Sequence, residues 1–261
     1  MLAVAFGWTP RTRRSLPPTA VTADTPDVEQ LRAARERVDE RIARAARRVG
    51  RDPADVTLVA VSKTVPVPRV RAAVEAGLIV FGENRVQEGE AKAAEVPGAR
   101  WHLIGPLQSN KARRALATFS VIESVGSAEL AARLDGFLER DRRAGPYPVL
   151  LQVNVDRDPA KAGFLPDDLE RAVERLDPLR GLDFAGLMTV GRLVDDPAAA
   201  RPTFVALRAL SEALRAKWSR LGAGLSMGMS DDFEVAVEEG ATIVRVGRAI
   251  FGERSRGQVF G

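Results

Sequence analysis

The 261-residue chain is long enough for one large α/β domain or two modest ones, and its 45% hydrophobic and 28% charged residues are those of a globular protein with a real core. Cysteine is absent and His102 is the single histidine, which excludes disulfides, thiolate sites and cysteine nucleophiles and leaves no His-based metal cluster or triad. The net charge of +4 comes nearly all from arginine dispersed along Ala/Arg/Glu helices, which is a solvated face and not a nucleic-acid footprint, and no run of 18 apolar residues is present to span a membrane.

Residues 1–26 read as a disordered extension, basic and rich in Thr and Pro, with no acid before Asp24. A long helix is expected over 27–49, with Val28, Leu31, Val38, Ile42 and Val49 set among charges and Gly50 as its stop. From there short apolar runs recur at 56–61, 78–81, 101–104, 119–122, 149–155, 184–188, 225–227 and 242–246. Amphipathic stretches fill the gaps at 68–76, 85–95, 109–116, 128–143, 166–176, 198–221 and 232–239. Strands alternating with helices indicate a parallel sheet, and eight of them close a (β/α)8 barrel spanning 27–261. A doubly wound open sheet is the competitor, but it would show a Gly-rich turn after its first strand, where this chain has Ser62-Lys63-Thr64.

Barrel enzymes place their sites at the C-terminal ends of the strands. Here those ends carry Ser62-Lys63, Gly82-Glu83-Asn84, Gly105-Pro106, Glu123-Ser124, Asn154, Met188-Thr189, Ser226-Met227-Gly228 and Arg245-Val246-Gly247. Lys63 stands out. In a chain that prefers arginine, the only other lysines are Lys92, Lys111, Lys161 and Lys217. An ammonium at the end of a buried strand loses hydration, which favours the neutral amine that attacks carbonyls. The plain alternative is a lysine reaching out of the strand end to a surface ion pair. The strand 225–227, its small-residue loop through Ser230 and the Arg245-Val-Gly turn match the phosphate cradle of barrels, with Asp231 expected to cap the next helix and Glu234 in capping-box spacing. A lysine and a phosphate cradle at one mouth suit pyridoxal 5′-phosphate, or a phosphosugar on a Schiff-base aldolase. Arg245 near the cradle could face a pyridine nitrogen, keeping it unprotonated and weakening the ring as an electron sink; a salt bridge inside the barrel is the other reading.

The stretches Val59-Ala-Val-Ser-Lys-Thr, Phe81-Gly-Glu-Asn-Arg-Val-Gln-Glu, Trp101-His-Leu-Ile-Gly-Pro-Leu-Gln-Ser-Asn-Lys, Gly186-Leu-Met-Thr-Val-Gly, Leu225-Ser-Met-Gly-Met-Ser-Asp-Asp-Phe and Val244-Arg-Val-Gly resemble, in order from about Asp27 to Gly252, the pyridoxal phosphate homeostasis proteins. That family is similar to the barrel domain of alanine racemase. The resemblance implies pyridoxal 5′-phosphate held as an internal aldimine on Lys63, with Arg245 facing the pyridine nitrogen. It places Ser226, Met227, Ser230 and Gly247 around the phosphate and Asn84, His102 and Met188 along the ring. It also implies a role in the cofactor's supply and in amino-acid balance with no established catalytic activity; a cytoplasmic carrier delivering to apo-enzymes is expected, and a monomer, since no exposed apolar helix face stands out. Racemases of this barrel add a tyrosine from a further domain as second base. The only tyrosine here, Tyr147, sits in Gly-Pro-Tyr-Pro just ahead of the fifth strand, at the wrong end of the barrel. A low-activity racemase using Lys111 or a bound water is the alternative reading.

Overall fold

The computed structural model describes residues 25–192 and 194–253, so the expected extension lies outside the described residues except for its last two, which open the first helix. That helix, α1 (Thr25–Arg48), buries Val28, Leu31, Val38, Ile42 and Ala45, a stripe at helical spacing. Each of the larger side chains contributes about 1.5–3 kcal/mol by leaving water. Helix α1 packs on α2 (Val67–Glu75), α8 (Phe233–Glu238) and α9 (Arg248–Phe251), closing the outer layer over the seam where the chain's first and last strands meet.

The strands are β1 (Thr57–Val61), β2 (Val80–Glu83), β3 (Arg100–Leu103), β4 (Val121–Val125), β5 (Tyr147–Gln152), β6 (Leu182–Met188), β7 (Gly224–Ser226) and β8 (Ile243–Val246). All pair in parallel in chain order, and β8 returns to β1 with Val59 opposite Arg245, so the sheet is a closed eight-stranded barrel. Parallel strands covered on both faces need apolar side chains throughout, which explains the continuous Val, Leu and Ile runs. The remaining helices are α3 (Val86–Glu95), α4 (Ala112–Thr118), α5 (Ala128–Arg140), α6 (Pro166–Leu176) and α7 (Arg201–Lys217). Phe81 of β2 packs on Trp101 of the neighbouring β3 at 5.3 Å, and Phe184 of β6 packs on Trp218 at the end of α7 at 4.9 Å between centroids, which seats that helix on the sheet.

Two strands run further than their apolar patterns indicate. β2 continues to Glu83 and β4 to Val125, so two acids that read as strand ends lie inside the sheet, fully buried. Each has found partners that offset its desolvation, as described below. Gly186 marks a close approach between β6 and β7: at φ +156°, a Cβ there would fall 1.9 Å from the Gly224 carbonyl oxygen. Among the described residues no helix is long and apolar enough to cross a membrane.

Candidate functional site at the C-terminal mouth of the barrel

Side chains of a strand alternate between the barrel interior and the helix layer. Gly82 shows which is which: a Cβ there would meet Val59 Cγ1 at 2.9 Å and Ile104 Cδ1 at 3.0 Å, so Val59, Gly82 and Ile104 point inward. Val61 continues the inward parity of Val59, and Lys63, half-buried, lies two residues past the end of β1, in the turn closed by the Val65 amide on the Ser62 carbonyl at 2.9 Å. Ser62 and Glu83 take the outward parity. The Ser62 hydroxyl donates to Glu83 Oε1 at 2.7 Å, and Lys92 of α3 donates to the same oxygen at 2.7 Å.

Inside the barrel, a chain of buried polar groups crosses the lumen. The Arg245 guanidinium donates from Nη1 to Ser226 Oγ at 2.5 Å and from Nη2 to the Thr189 carbonyl at 2.7 Å. Ser226 in turn donates to Glu123 Oε2 at 2.5 Å, and His102 Nδ1 meets Glu123 Oε1 at 2.6 Å. β4 and β7 are not neighbours in the sheet, so the Glu123–Ser226 bond spans the interior. Burial pushes the Glu123 carboxyl up, but the hydrogen bond and charge of His102, the charge of Arg245 and the Ser226 hydroxyl outweigh it and hold it below the usual carboxylate range. Burial lowers Arg245 from its ordinary value, against the pull of Glu123 and Asp232; an arginine so paired stays cationic. A carboxylate only accepts, so the His102 Nδ1 carries the proton, and its Nε2 is buried with no hydrogen-bond partner among the described residues.

The loop after β7 is pinned to β8 by the Arg245 amide, which donates to the Gly228 carbonyl at 3.0 Å. Gly228 takes φ +90°, and a Cβ there would lie 2.6 Å from that of Ala236. The Ser230 hydroxyl accepts from the Gly247 amide at 3.2 Å, joining the loop to the start of α9. The Met227 amide is used by the Ile243 carbonyl and the Met229 amide by Asp232 Oδ1, leaving those of Gly228 and Ser230 with no acceptor among the described residues. The expected capping role of Asp231 is corrected: α8 starts at Phe233 after Asp232, and Asp231 pairs with Arg248 instead. Asn84 follows β2 with its backbone against Gly105, and Met188, fully buried, ends β6 in register with Ser226.

Seven of the nine residues picked from the sequence are thereby linked or in register around the lumen: His102, Ser226 and Arg245 by hydrogen bonds through Glu123, Met188, Met227, Ser230 and Gly247 through the β7 and β8 ends. Lys63 and Asn84 close the rim on the β1 and β2 side. Glu123, the residue that ties the interior together, was not among the nine. An acid inside a run of buried β-branched residues was the signal for it, since such a group persists only with partners. Tyr147 begins β5, at the opposite end of the barrel from the mouth, and its hydroxyl donates to the Phe119 carbonyl at 2.6 Å; burial pushes its pKa well up.

Residues 34–255 match the family described as alanine racemase, N-terminal domain. The pyridoxal phosphate homeostasis protein of Pseudomonas aeruginosa is 45% identical over 226 residues, covering 85% of this chain and 94% of that protein. This chain belongs to the pyridoxal phosphate homeostasis protein family. Among solved structures of the same fold, PipY of Synechococcus elongatus PCC7942, described with pyridoxal phosphate bound, superposes with a TM-score of 0.72 at 41% identity and covers 82% of this chain and all of its own. A protein of unknown function from Bifidobacterium adolescentis superposes with a TM-score of 0.81 at 35% identity over 88% of this chain and 98% of its own. Membership of the family accounts for the order of the six motifs along the chain and for the barrel that carries them.

Proposed function

We propose that this protein binds pyridoxal 5′-phosphate at the C-terminal mouth of the barrel and serves in holding and delivering the cofactor, not in turning over a substrate. The observation that carries this is the placing of Lys63, two residues past the end of β1, next to the strand that holds the buried, tethered Arg245 and beside a loop with two unused amides; in this reading its amine turns into the lumen. Val59 lies at the level of Arg245, and β1 runs two residues, roughly 7 Å, further before the turn that carries Lys63 nearer the mouth. Two long cationic side chains at those depths suit a flat ring with an aldehyde near the rim. In this reading Lys63 holds the cofactor through its amine, and Arg245, with guanidinium N–H groups to spare, faces the ring nitrogen. The amides of Gly228 and Ser230 and the Ser230 hydroxyl take the phosphate, with Met227 and Gly247 shaping the loop. Asn84, His102 and Met188 line the ring, and the unpartnered Nε2 of His102 fits a polar ligand in the lumen.

Bound there, pyridoxal phosphate would supply an electrophilic aldehyde and a ring able to accept electrons. What the chain's own residues do with it is restrained. Arg245 cannot give up its proton to the ring, so the electron sink stays weak. Tyr147, the residue type that serves as second base in the racemases, is sealed at the far end of the barrel. Such a site favours reversible capture, and we extend the reading to delivery of the cofactor to apo-enzymes by a monomer in the cytoplasm.

Incubation with pyridoxal phosphate tests this. The protein should turn yellow, and borohydride should fix the cofactor to Lys63, as located by peptide mass spectrometry. Colourless protein, or label on another lysine, would refute the site. Exchange of an amino acid's α-hydrogen at ordinary enzymatic turnover, on the order of 1–10³ per second, would refute the non-catalytic role.

A further inference from the structure

Behind Lys63, on the helix side of the sheet, lies a second buried polar cluster that touches no part of the lumen. Lys92, 5% exposed, donates to the Ser62 carbonyl at 2.6 Å, to Glu83 Oε1 at 2.7 Å and to Glu88 Oε1 at 2.7 Å. All three of its protons are used. Glu88 Oε1 also accepts from the Thr64 amide at 2.6 Å. The residues on both sides of Lys63 are thus held by this one cluster: Ser62 through its carbonyl and hydroxyl, Thr64 through its amide.

Thr64 has a φ of +66°, in the left-handed region. For a β-branched residue this is an outlier, equivalent to a penalty of roughly 5- to 100-fold in an equilibrium, and it persists only where the surroundings enforce it. Two contacts enforce it: the Val65 amide on the Ser62 carbonyl at 2.9 Å closes the turn, and the Glu88 carboxylate, itself held by Lys92, takes the Thr64 amide. We infer that Lys92 and Glu88 are positioning residues that hold the turn carrying Lys63, so that its amine enters the barrel from a backbone already ordered. The inference rests on the cofactor reading above. It also accounts for a lysine and two acids being kept in a layer where apolar side chains would serve stability as well: an apolar residue at 92 could not hold the Ser62 carbonyl and Glu88 together.

The test uses Glu88→Ala, Lys92→Met, and each combined with Thr64→Gly. Pyridoxal phosphate affinity is read by absorbance titration, and exchange of the Thr64 amide (residue 64 in every variant) by NMR. Both single variants should weaken the cofactor's binding about tenfold or more and speed exchange at residue 64. Glycine adopts positive φ without a Cβ penalty, so adding Thr64→Gly should restore most of the affinity, which a merely structural defect would not allow. Unchanged affinity in Glu88→Ala, or a loss that persists in the Glu88→Ala, Thr64→Gly double variant, would overturn the inference. Should Lys92→Met not fold, the Glu88→Ala pair decides, since Glu88 is only partly buried. If the wild-type protein takes up no cofactor, it is the cofactor reading that fails; residue 64 exchange then decides alone, and an unchanged rate in Glu88→Ala overturns the inference.

Discussion

Glu123→Gln tests whether the charge at the centre of the lumen carries the stability the geometry assigns to it. Glutamine keeps the size of the side chain and an acceptor for His102 Nδ1, but it removes the charge and sets an NH2 donor where Glu123 Oε2 accepts from Ser226. The Arg245 guanidinium, 4% exposed, meets Glu123 only through the Ser226 hydroxyl, and after the change it keeps the charge of Asp232 but loses that of Glu123. The Ser226 hydroxyl loses its acceptor and Arg245 one of its two opposing charges, at about 1–3 kcal/mol. For a domain of this size that lowers the melting temperature by about 2–12 °C. Because the folded pKa of Glu123 is depressed, its contribution is full above the unfolded carboxyl value of about 4.3 and fades as pH falls through the folded pKa. The gap between wild type and variant, measured by urea titration, should therefore be constant from pH 7 down to about 5 and close below it. Replacing both Glu123 with Gln and Arg245 with Met should recover part of the loss. A loss under about 1 kcal/mol at pH 7, below the range for a stranded buried polar group, or one as large at pH 3 as at pH 7, would refute the argument.

Lys63→Ala should leave the melting temperature near that of wild type while abolishing the visible absorbance of protein loaded with pyridoxal phosphate; persisting colour would mean that another amine holds the cofactor. Gly186→Ala, whose Cβ would strike the Gly224 carbonyl, should destabilise by more than the about 1–3 kcal/mol of ordinary overpacking or leave the protein insoluble, and a soluble variant with unchanged thermal melting would show that β6 and β7 can part. Tyr147→Phe strands the buried Phe119 carbonyl and should cost about 1–3 kcal/mol in chemical denaturation, with the affinity for pyridoxal phosphate unchanged. A selective loss of affinity would place Tyr147 in the site after all.

The barrel was legible because its signal is redundant: eight apolar runs spaced by amphipathic stretches allow few other closures, and an error of two residues at one strand does not alter the count. Lys63, Ser226 and Arg245 were legible for a different reason, since each is a polar residue at the end of an apolar run. Glu83 and Glu123 escaped the same rule. Each acid stands beyond an apolar run, but β2 takes in Glu83 as its last residue and β4 runs past Glu123 to Val125, because tertiary partners hold them: Lys92 for the first, His102 and Ser226 for the second. No local pattern announces that Ser226 will meet Glu123 across the lumen. Asp231 misled in the other direction: its spacing to Glu234 fits a capping box, but Arg248 of α9 claims it.

The sealing of Lys92 has a chemical consequence for the surface as a whole. Aldehydes condense with any neutral amine they meet, and most proteins offer many. Here the positive charge is carried almost wholly by arginine, whose guanidinium keeps its proton and is a poor nucleophile. Of the five lysines, Lys92 is spent on three acceptors inside the fold and Lys161 lies between Asp156 and Asp158. Of the five lysines a reactive carbonyl is thereby left Lys63, Lys111 and Lys217, and its selectivity is set in part by the amines the fold withholds.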